Sequence, residues 1–384
     1  MSYAFFREKD FVDTQRGKYP KGWKLSRFGS IITLEYGKGL PEVRRKQGLY
    51  PVFGSNGVVG YHDRGLVRGP GIIVGRKGTI GAVALSKSDF WPIDTTYYVK
   101  MRTGEIDLNW LFYELVHLNL PRLSSADVVP GLKRELVNNL ILPIPSLAEQ
   151  QKIAATLALV DSAIELADRV IAKTERLKKG LMQQLLTRGI GHIEYKDTPI
   201  GKIPKTWQIT DLTNVFKLAS GKPRPSEICE RASSSAKYPV YGGNGVLGYS
   251  GDFLLDRETI VIGRVGEYCG CVYKTEARAW ITDNALYATE VSKDFDLMFL
   301  KYLLSYMNLN KFKKKMGQPL ITQTILYGID IPHPPLPEQH KIVDILLTVD
   351  KKLELERKEK SRLDRTKQGL MDLLLTGKVR IKVD

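Results

Sequence analysis

Polar and apolar residues follow two rhythms along this chain, and the same succession of rhythms occurs twice. Short β-branched or aromatic runs, among them Ile72-Ile73-Val74, Val83-Ala84-Leu85 and Tyr97-Tyr98-Val99, are bounded by Gly, Pro or Asp and predict strands. Asn56-Gly57 and Asn244-Gly245 predict tight turns, because both residue types tolerate positive φ. A helical period follows in each half, at Leu108 to Leu118 and Leu297 to Met307. Pro-rich segments, Leu142-Pro143-Ile144-Pro145 and Ile331-Pro332-His333-Pro334, then lead out as extended chain. Each half is therefore expected to hold a mixed α/β unit.

A longer rhythm comes next. Val160, Ile164, Ala167, Ile171, Thr174, Leu181 and Leu185 alternate four and three residues apart, and Val349, Leu353, Leu363, Leu370 and Leu374 occupy the matching places. Glu149 to Thr187 as one helix would be roughly 58 Å long. Ser146 lies three residues before Glu149, the pattern of a capping box, whereas Pro335 replaces it in the second copy and Pro337 suits a first turn. One such helix cannot bury its stripe alone, so the two copies are expected to pack antiparallel under an approximate two-fold axis. Glu356 and Lys360 interrupt the second stripe. The seam is expected to be imperfect there, or completed by another protein.

The repetition is a duplication of nearly the whole chain. Pro145 to Thr187 and Pro334 to Thr376 align without a gap, with 19 of 43 pairs identical; a spacer alone need not keep Glu-Gln and Gly-Leu-Met in both copies. The entry segments Gly17-Lys18-Tyr19-Pro20-Lys21-Gly22-Trp23 and Gly201-Lys202-Ile203-Pro204-Lys205-Thr206-Trp207 also match. So do Tyr50-Pro51-Val52-Phe53-Gly54 and Tyr238-Pro239-Val240-Tyr241-Gly242, and Ile72-Ile73-Val74-Gly75-Arg76-Lys77-Gly78 with Ile260-Val261-Ile262-Gly263-Arg264-Val265-Gly266. A domain-sized period means tandem duplication, not a solenoid. The helices stay alike while the α/β segments keep only framework positions, which suits common docking with distinct recognition.

Charge narrows the partners. Lys plus Arg outnumber Asp plus Glu by 58 to 42, a net +16, which favours a polyanion. No apolar run is long enough to span a bilayer, and charges follow MSYAFF at once, so the chain is expected in the cytoplasm without a secretory signal. Cys229, Cys269 and Cys271 are an odd, sparse set that argues against a disulfide framework, Cys269-Gly270-Cys271 lacks the second ligand pair of a structural zinc site, and all three are expected to be buried and structural. His62, His117, His192, His333 and His340 have no metal-ligand spacing. Ser220-Gly221-Lys222-Pro223 lacks the hydroxyl that a phosphate loop requires after lysine, and no nucleophilic triad can be nominated. No catalytic residue and no metal site is therefore expected.

With the paired Gly-x-x-Pro-x-x-Trp entries, the Tyr-Pro-Val-aromatic-Gly segments, the Ile-x-x-Gly-Arg-x-Gly segments and the Pro-x-Leu-x-Glu-Gln…Gly-Leu-Met…Leu-Leu-Thr helices in hand, the chain resembles the specificity subunits of type I restriction–modification systems. The resemblance covers nearly all of the sequence. It implies target-recognition domains at 1–145 and 189–334, and spacer and docking helices at 146–188 and 335–384. It further implies a non-catalytic chain that reads a bipartite, asymmetric site on double-stranded DNA. Its helices would dock two modification (methyltransferase) subunits, and through them restriction subunits. S-adenosylmethionine is expected on the modification subunit, and no cofactor on this chain. A stand-alone two-domain DNA-binding protein is the alternative.

Candidate DNA contacts follow from the Gly-flanked turn carrying Arg76 and Lys77, and from its counterpart carrying Arg264; arginine can pair with guanine or grip phosphate. Lys133 and Arg134 after Pro130-Gly131, with Thr322 and Gln323 at the equivalent place, are further candidates. So are the turn residues Asn56 and Asn244, the aromatics Tyr61 and Tyr249, and Lys313 and Lys314 in the run Lys311-Lys313-Lys314-Lys315. Docking is expected at Glu149, Gln150, Glu338 and Gln339, and at Gly180-Leu181-Met182 and Gly369-Leu370-Met371. Readers on one face of duplex DNA sit most easily about 34–36 Å apart, so over a longer spacer the domains are expected to lean inward or the DNA to distort.

Overall fold

A computed structural model describes residues 5–14, 17–123, 131–314 and 319–382. It divides into two compact units, Met1–Asp168 with Lys358–Asp384, and Arg169–Arg357. The division falls inside the two long helices, Leu147–Arg188 and Leu336–Leu374, and not at their ends.

In the first unit an antiparallel sheet runs in the order Ile32–Tyr36, Thr96–Met101, Gly71–Gly75, Val83–Ser86. A second sheet holds Trp91–Pro92 parallel to Tyr50–Gly54, which pairs in turn with Gly57–His62. The helix Leu108–His117 starts where the Asp107 carboxylate accepts the Trp110 amide at 2.8 Å. Its apolar face buries Trp110, Leu111 and Leu115 against Ile72, Val74 and Val99.

The second unit repeats this plan element by element. Its larger sheet runs Phe216–Ser220, Ala285–Val291, Ile260–Gly263, Val272–Lys274, and its smaller one Gly245–Ser250, Tyr238–Gly242, Trp280–Ile281. Asp296 caps the helix Leu297–Met307 through the Phe299 amide, also at 2.8 Å. The Asn-Gly turns differ from expectation in detail. Gly54 pairs with Gly57 and Gly242 with Gly245, so Ser55-Asn56 and Gly243-Asn244 form the turns. The positive φ falls on Gly57 (+104°) and Gly245 (+93°).

Each unit closes its core with helical turns from both long helices. Ile153, Ala154 and Leu157 at the start of the first helix join Met371, Leu374 and Leu375 at the end of the second in the first unit's core. In the second unit Leu185 and Leu186 join Ile342, Val343 and Leu346. The helices run antiparallel within each unit. In the first, Asp161 meets Lys367 and Asp168 meets Lys360, both at 2.6 Å. In the second, Glu175 meets Arg357 at 2.6 Å and Lys178 meets Asp350 at 2.5 Å.

Two contacts across the helices bear on the interrupted stripe. Lys360 is answered by Asp168, and Glu356 accepts the Thr174 hydroxyl at 3.2 Å through one oxygen, while its buried Oε2 has no partner among the described residues. The cysteines are not all buried: Cys269 is, Cys271 is half-buried, and Cys229 is exposed. No helix among the described residues is long and apolar enough to cross a membrane.

Candidate nucleic-acid interface

In the first unit three chain segments converge on the loop after the strand Gly71–Gly75. The Arg76 amide donates to the Thr95 carbonyl at 2.9 Å, and the Arg76 carbonyl accepts the Leu132 amide at 3.0 Å. This places Lys133 and Arg134, which open the short helix Arg134–Asn138, beside Arg76 and exposed Lys77. The turn at Ser55-Asn56 lies against the same loop, so close to Gly75 that a side chain there would meet the Ser55 and Thr79 carbonyls. Pro130 lies outside the described residues.

The guanidinium of Arg76 donates from Nε and Nη2 to the Asp94 carbonyl, at 3.2 and 2.6 Å. It also lies 5.3 Å from the ring centre of Tyr36, and Arg134 lies 5.6 Å from the same ring. Tyr36 is 53% exposed and tilts against buried Tyr97 at 5.1 Å. Burial, and then the neighbouring Tyr36 hydroxyl, push the Tyr97 phenol up to about 12. The Tyr97 hydroxyl donates to the Leu132 carbonyl at 3.1 Å, which ties this ring to the segment that carries Lys133 and Arg134.

The second unit holds the same backbone. Arg264 donates its amide to the Asn284 carbonyl and accepts the Ile321 amide, both at 2.9 Å, which brings Thr322 and Gln323 alongside. The Thr322 hydroxyl caps its short helix through the Ile325 amide at 3.3 Å. Gly243-Asn244 packs on Gly263, and Lys314 joins the cluster through its bridge to Leu320, which bridges Val265. Lys313 adjoins it, half-buried, and Lys315 lies outside the described residues. Here Arg264 donates Nη1 to the Ser220 hydroxyl at 3.2 Å, while its buried Nε has no partner among the described residues.

Tyr61 and Tyr249 are not brought to these loops. They pair with Pro51 and Pro239, at the far ends of their hairpins from the Asn turns. Tyr61 is exposed, and Tyr249 is half-buried beneath a bridge to Cys229. Among the described residues no cluster of His, Cys, Asp or Glu could hold a metal ion.

Residues 20–176 and 204–365 each match the family described as "Type I restriction modification DNA specificity domain". The two matches take in both loop clusters and much of both long helices. The chain belongs to the type I restriction–modification specificity subunits. As such it is a DNA-targeting component of the system and not an enzyme. Curated relatives include the MjaVIII specificity subunit of Methanocaldococcus jannaschii, 27% identical over 98% of each chain. The EcoprrI specificity subunit of Escherichia coli is 27% identical over 62% of this chain and 60% of its own. The fold is that of the crystal structure of an S subunit from M. genitalium, with a TM-score of 0.67 and 20% identity, covering 92% of this chain and 96% of that one.

The motifs expected to dock partners are turned inward in this specificity subunit. Glu149 is 1% exposed and accepts the Trp23 indole N–H at 3.2 Å and two donors from Arg380. Glu338 accepts the Trp207 indole at 2.9 Å, the Ile190 amide at 2.9 Å and the His192 ring at 2.8 Å. Gln150 binds the Asp107 amide and the Glu105 and Pro145 carbonyls; Gln339 binds the Asp296 amide and the Asp294 and Pro334 carbonyls. Leu181, Met182, Leu370 and Met371 pack on the cores, leaving only Gly180 and Gly369 facing open space. In both copies the Glu-Gln pair fastens the α/β segment to its helix. Of these side chains Glu149, Gln150, Gln339 and Met371 are buried, while Glu338, Leu181, Met182 and Leu370 are half-buried.

Two other features were missed in the sequence. Tyr113 donates to Asp161 and Tyr302 to Asp350, each at 2.7 Å, and each aspartate also meets a lysine of the opposite helix. The Val-Asp pair common to both helices was the available signal. Tyr36 and Ser220 were also missed, although each precedes a Gly-Lys pair repeated in both halves.

Proposed function

We propose that each unit reads one half of a bipartite, asymmetric sequence on double-stranded DNA. The long helices would dock two adenine-methyltransferase modification subunits, through which a motor–nuclease restriction subunit joins. The cofactor S-adenosylmethionine would then belong to the modification subunit, and the assembly would work in the cytoplasm. One observation carries the reading: both units hold an arginine on the same loop backbone, yet surround it with different side chains. A common scaffold with unlike readers suits two half-sites of different sequence.

The contact set we assign is Arg76, Lys77, Lys133, Arg134 and Asn56 in the first unit. In the second it is Arg264, Thr322, Gln323, Asn244, Lys313 and Lys314. Tyr61 and Tyr249 lie off these clusters and are assigned to the edges of the footprint. For docking we assign the exposed faces of the helices, where Leu166 and Leu355 occupy the same repeat position at 55% and 66% exposure. Burying such leucines against a partner would stabilise each contact by about 1.5–3 kcal/mol.

Long-read detection of methylated adenines tests the whole reading. In cells carrying the modification subunit, the marks should fall at one bipartite motif with this chain present and vanish on its deletion. Methylation that persists unchanged without the chain would overturn it. Tight, sequence-selective binding by the chain alone, with no association with a methyltransferase, would favour the stand-alone DNA-binding protein.

A further inference from the structure

The two clusters share a backbone and one arginine, and differ at the residues packed around it. Superimposed by their pairing, Tyr36 of the first unit corresponds to Ser220 of the second: Tyr36 faces Tyr97 across the sheet, and Ser220 faces Leu286. Arg134 corresponds to Gln323, each opening the short helix that follows the Leu132 or Ile321 bond to the loop. Gly37 and Gly221, next along, press on the carbonyls of Pro92 and Ile93 and of Ile281 and Thr282, which fixes the correspondence.

The shared arginine is held by its own unit. Arg76 spends Nε and Nη2 on the Asp94 carbonyl, and Arg264 spends Nη1 on Ser220. Arg134 makes no hydrogen bond or ion pair among the described residues and lies 5.6 Å from the Tyr36 ring centre. Arg134 therefore has its guanidinium donors uncommitted to hydrogen bonds among the described residues, beside the Tyr36 ring. Ser220 provides no such ring, and Gln323, at the place of Arg134, carries a donor and an acceptor on one amide.

We infer that residues 36 and 134 in the first unit, and 220 and 323 in the second, select the bases each half reads, with Arg76 and Arg264 as common anchors. This rests on the reading of both units as DNA-recognition surfaces. Arginine matches the two acceptors of guanine, O6 and N7, and glutamine matches the N6 donor and N7 acceptor of adenine. The first half-site therefore carries a guanine opposite Arg134, and the second an adenine opposite Gln323.

The test is selection from randomised duplexes by the full chain in complex with its modification subunit, followed by sequencing. Gln323→Arg should move one position of the second half-site from adenine towards guanine, by about five- to a hundredfold in relative enrichment. The first half-site should not change. Arg134→Gln should do the reverse in the first half-site alone. Ser220→Tyr combined with Gln323→Arg supplies the aromatic support and should sharpen the guanine preference. Thermal unfolding of each complex guards against a folding defect, and Arg134→Gln carries the test should Gln323→Arg not fold. A wild-type complex that enriches no motif would sink the DNA reading itself. A bipartite wild-type motif left unaltered by all the variants, or weakened equally for every sequence, would overturn only the present assignment.

Discussion

Arg380 grips Glu149 through two hydrogen bonds, 2.7 Å from Nε and 2.8 Å from Nη2, and so ties the last strand to the start of a helix 231 residues earlier. Its third nitrogen reaches Glu8 at 2.7 Å, and Phe5–Arg7 pairs with Val379–Ile381. In the second unit the equivalent carboxylate, Glu338, takes His192 instead. Arg380 and His192 each lie three residues beyond a left-handed glycine, Gly377 (φ +69°) and Gly189 (φ +64°), both packed against the entry tryptophan. The same joint is therefore covalently continuous in one unit and assembled from the two ends of the described chain in the other.

Arg380→Ala should consequently destabilise the first unit strongly. It leaves the Glu149 carboxylate buried with only the Trp23 indole for company, a loss on the order of 3–5 kcal/mol. Arg380→His copies the partner used in the second unit and should lose less. Denaturant unfolding of the two variants, each against wild type, gives the comparison. Equal losses for alanine and histidine would contradict the equivalence of the two joints.

The α/β units, both medium helices and both long helices were legible because periodicity and turn chemistry are local properties of the chain. The exchange of helix ends between cores was not legible, since nothing local tells Leu374 that it packs with Ile153. The burial of Glu149 and Gln150 was not legible for a related reason. A repeated polar pair on a helix reads as surface until Trp23 and the Asp107 amide are seen to face it. Arg76 and Arg264 were legible from flanking glycines, whereas Tyr36 acquires its role only through the antiparallel pairing that sets it beside Tyr97. Glu356 and Lys360 looked like defects in a stripe because their answers, Thr174 and Asp168, lie on the other helix.

The Tyr302–Asp350–Lys178 cluster gives a pH signature. Burial alone would raise the Asp350 carboxyl, but the hydrogen bonds from Lys178 and Tyr302 outweigh it and hold it below the usual aspartate range. A carboxyl lowered in the folded state binds protons less readily than in the unfolded chain. Its contribution is therefore present above the ordinary aspartate value and disappears as pH falls through the folded one. Asp350→Asn should cost about 1–3 kcal/mol at neutral pH, and the deficit should shrink in acid. Thermal midpoints of both proteins between pH 7 and pH 3 would show it; a deficit that stays constant would contradict the pairing.

Arg76 should behave as an anchor on DNA. With two donors fixed on the Asp94 carbonyl, it is restrained to one orientation, with Nη1 left over. Arg76→Ala should weaken binding to all duplexes alike and reduce the salt slope of log K by about one if that nitrogen meets a phosphate. Arg264→Ala is the second-unit counterpart, and should cost about 1–3 kcal/mol on the cognate site only if it also reads a base. Titrations at several salt concentrations, on cognate and scrambled duplexes, separate the two behaviours. An unchanged slope together with unchanged affinity would remove Arg76 from the interface.

Docking offers the sharpest contrast between the inward motifs and the helix surface. Leu166→Asp and Leu355→Asp place a charge where the proposed partner covers an apolar side chain, yet each site is open to water in the chain by itself. Stability should hardly change, since surface substitutions usually stay within about 0.5 kcal/mol. Association with the modification subunit should fall by about tenfold or more per site, because an unpaired charge would have to be buried. Gln150→Ala should show the opposite pattern: it strips the Asp107 amide and two carbonyls of their partner, lowering stability without touching the docking face. Size-exclusion chromatography of the co-expressed proteins, alongside thermal unfolding, reads both effects. A double Leu166→Asp/Leu355→Asp chain that still carries two modification subunits would place their docking elsewhere on the helices.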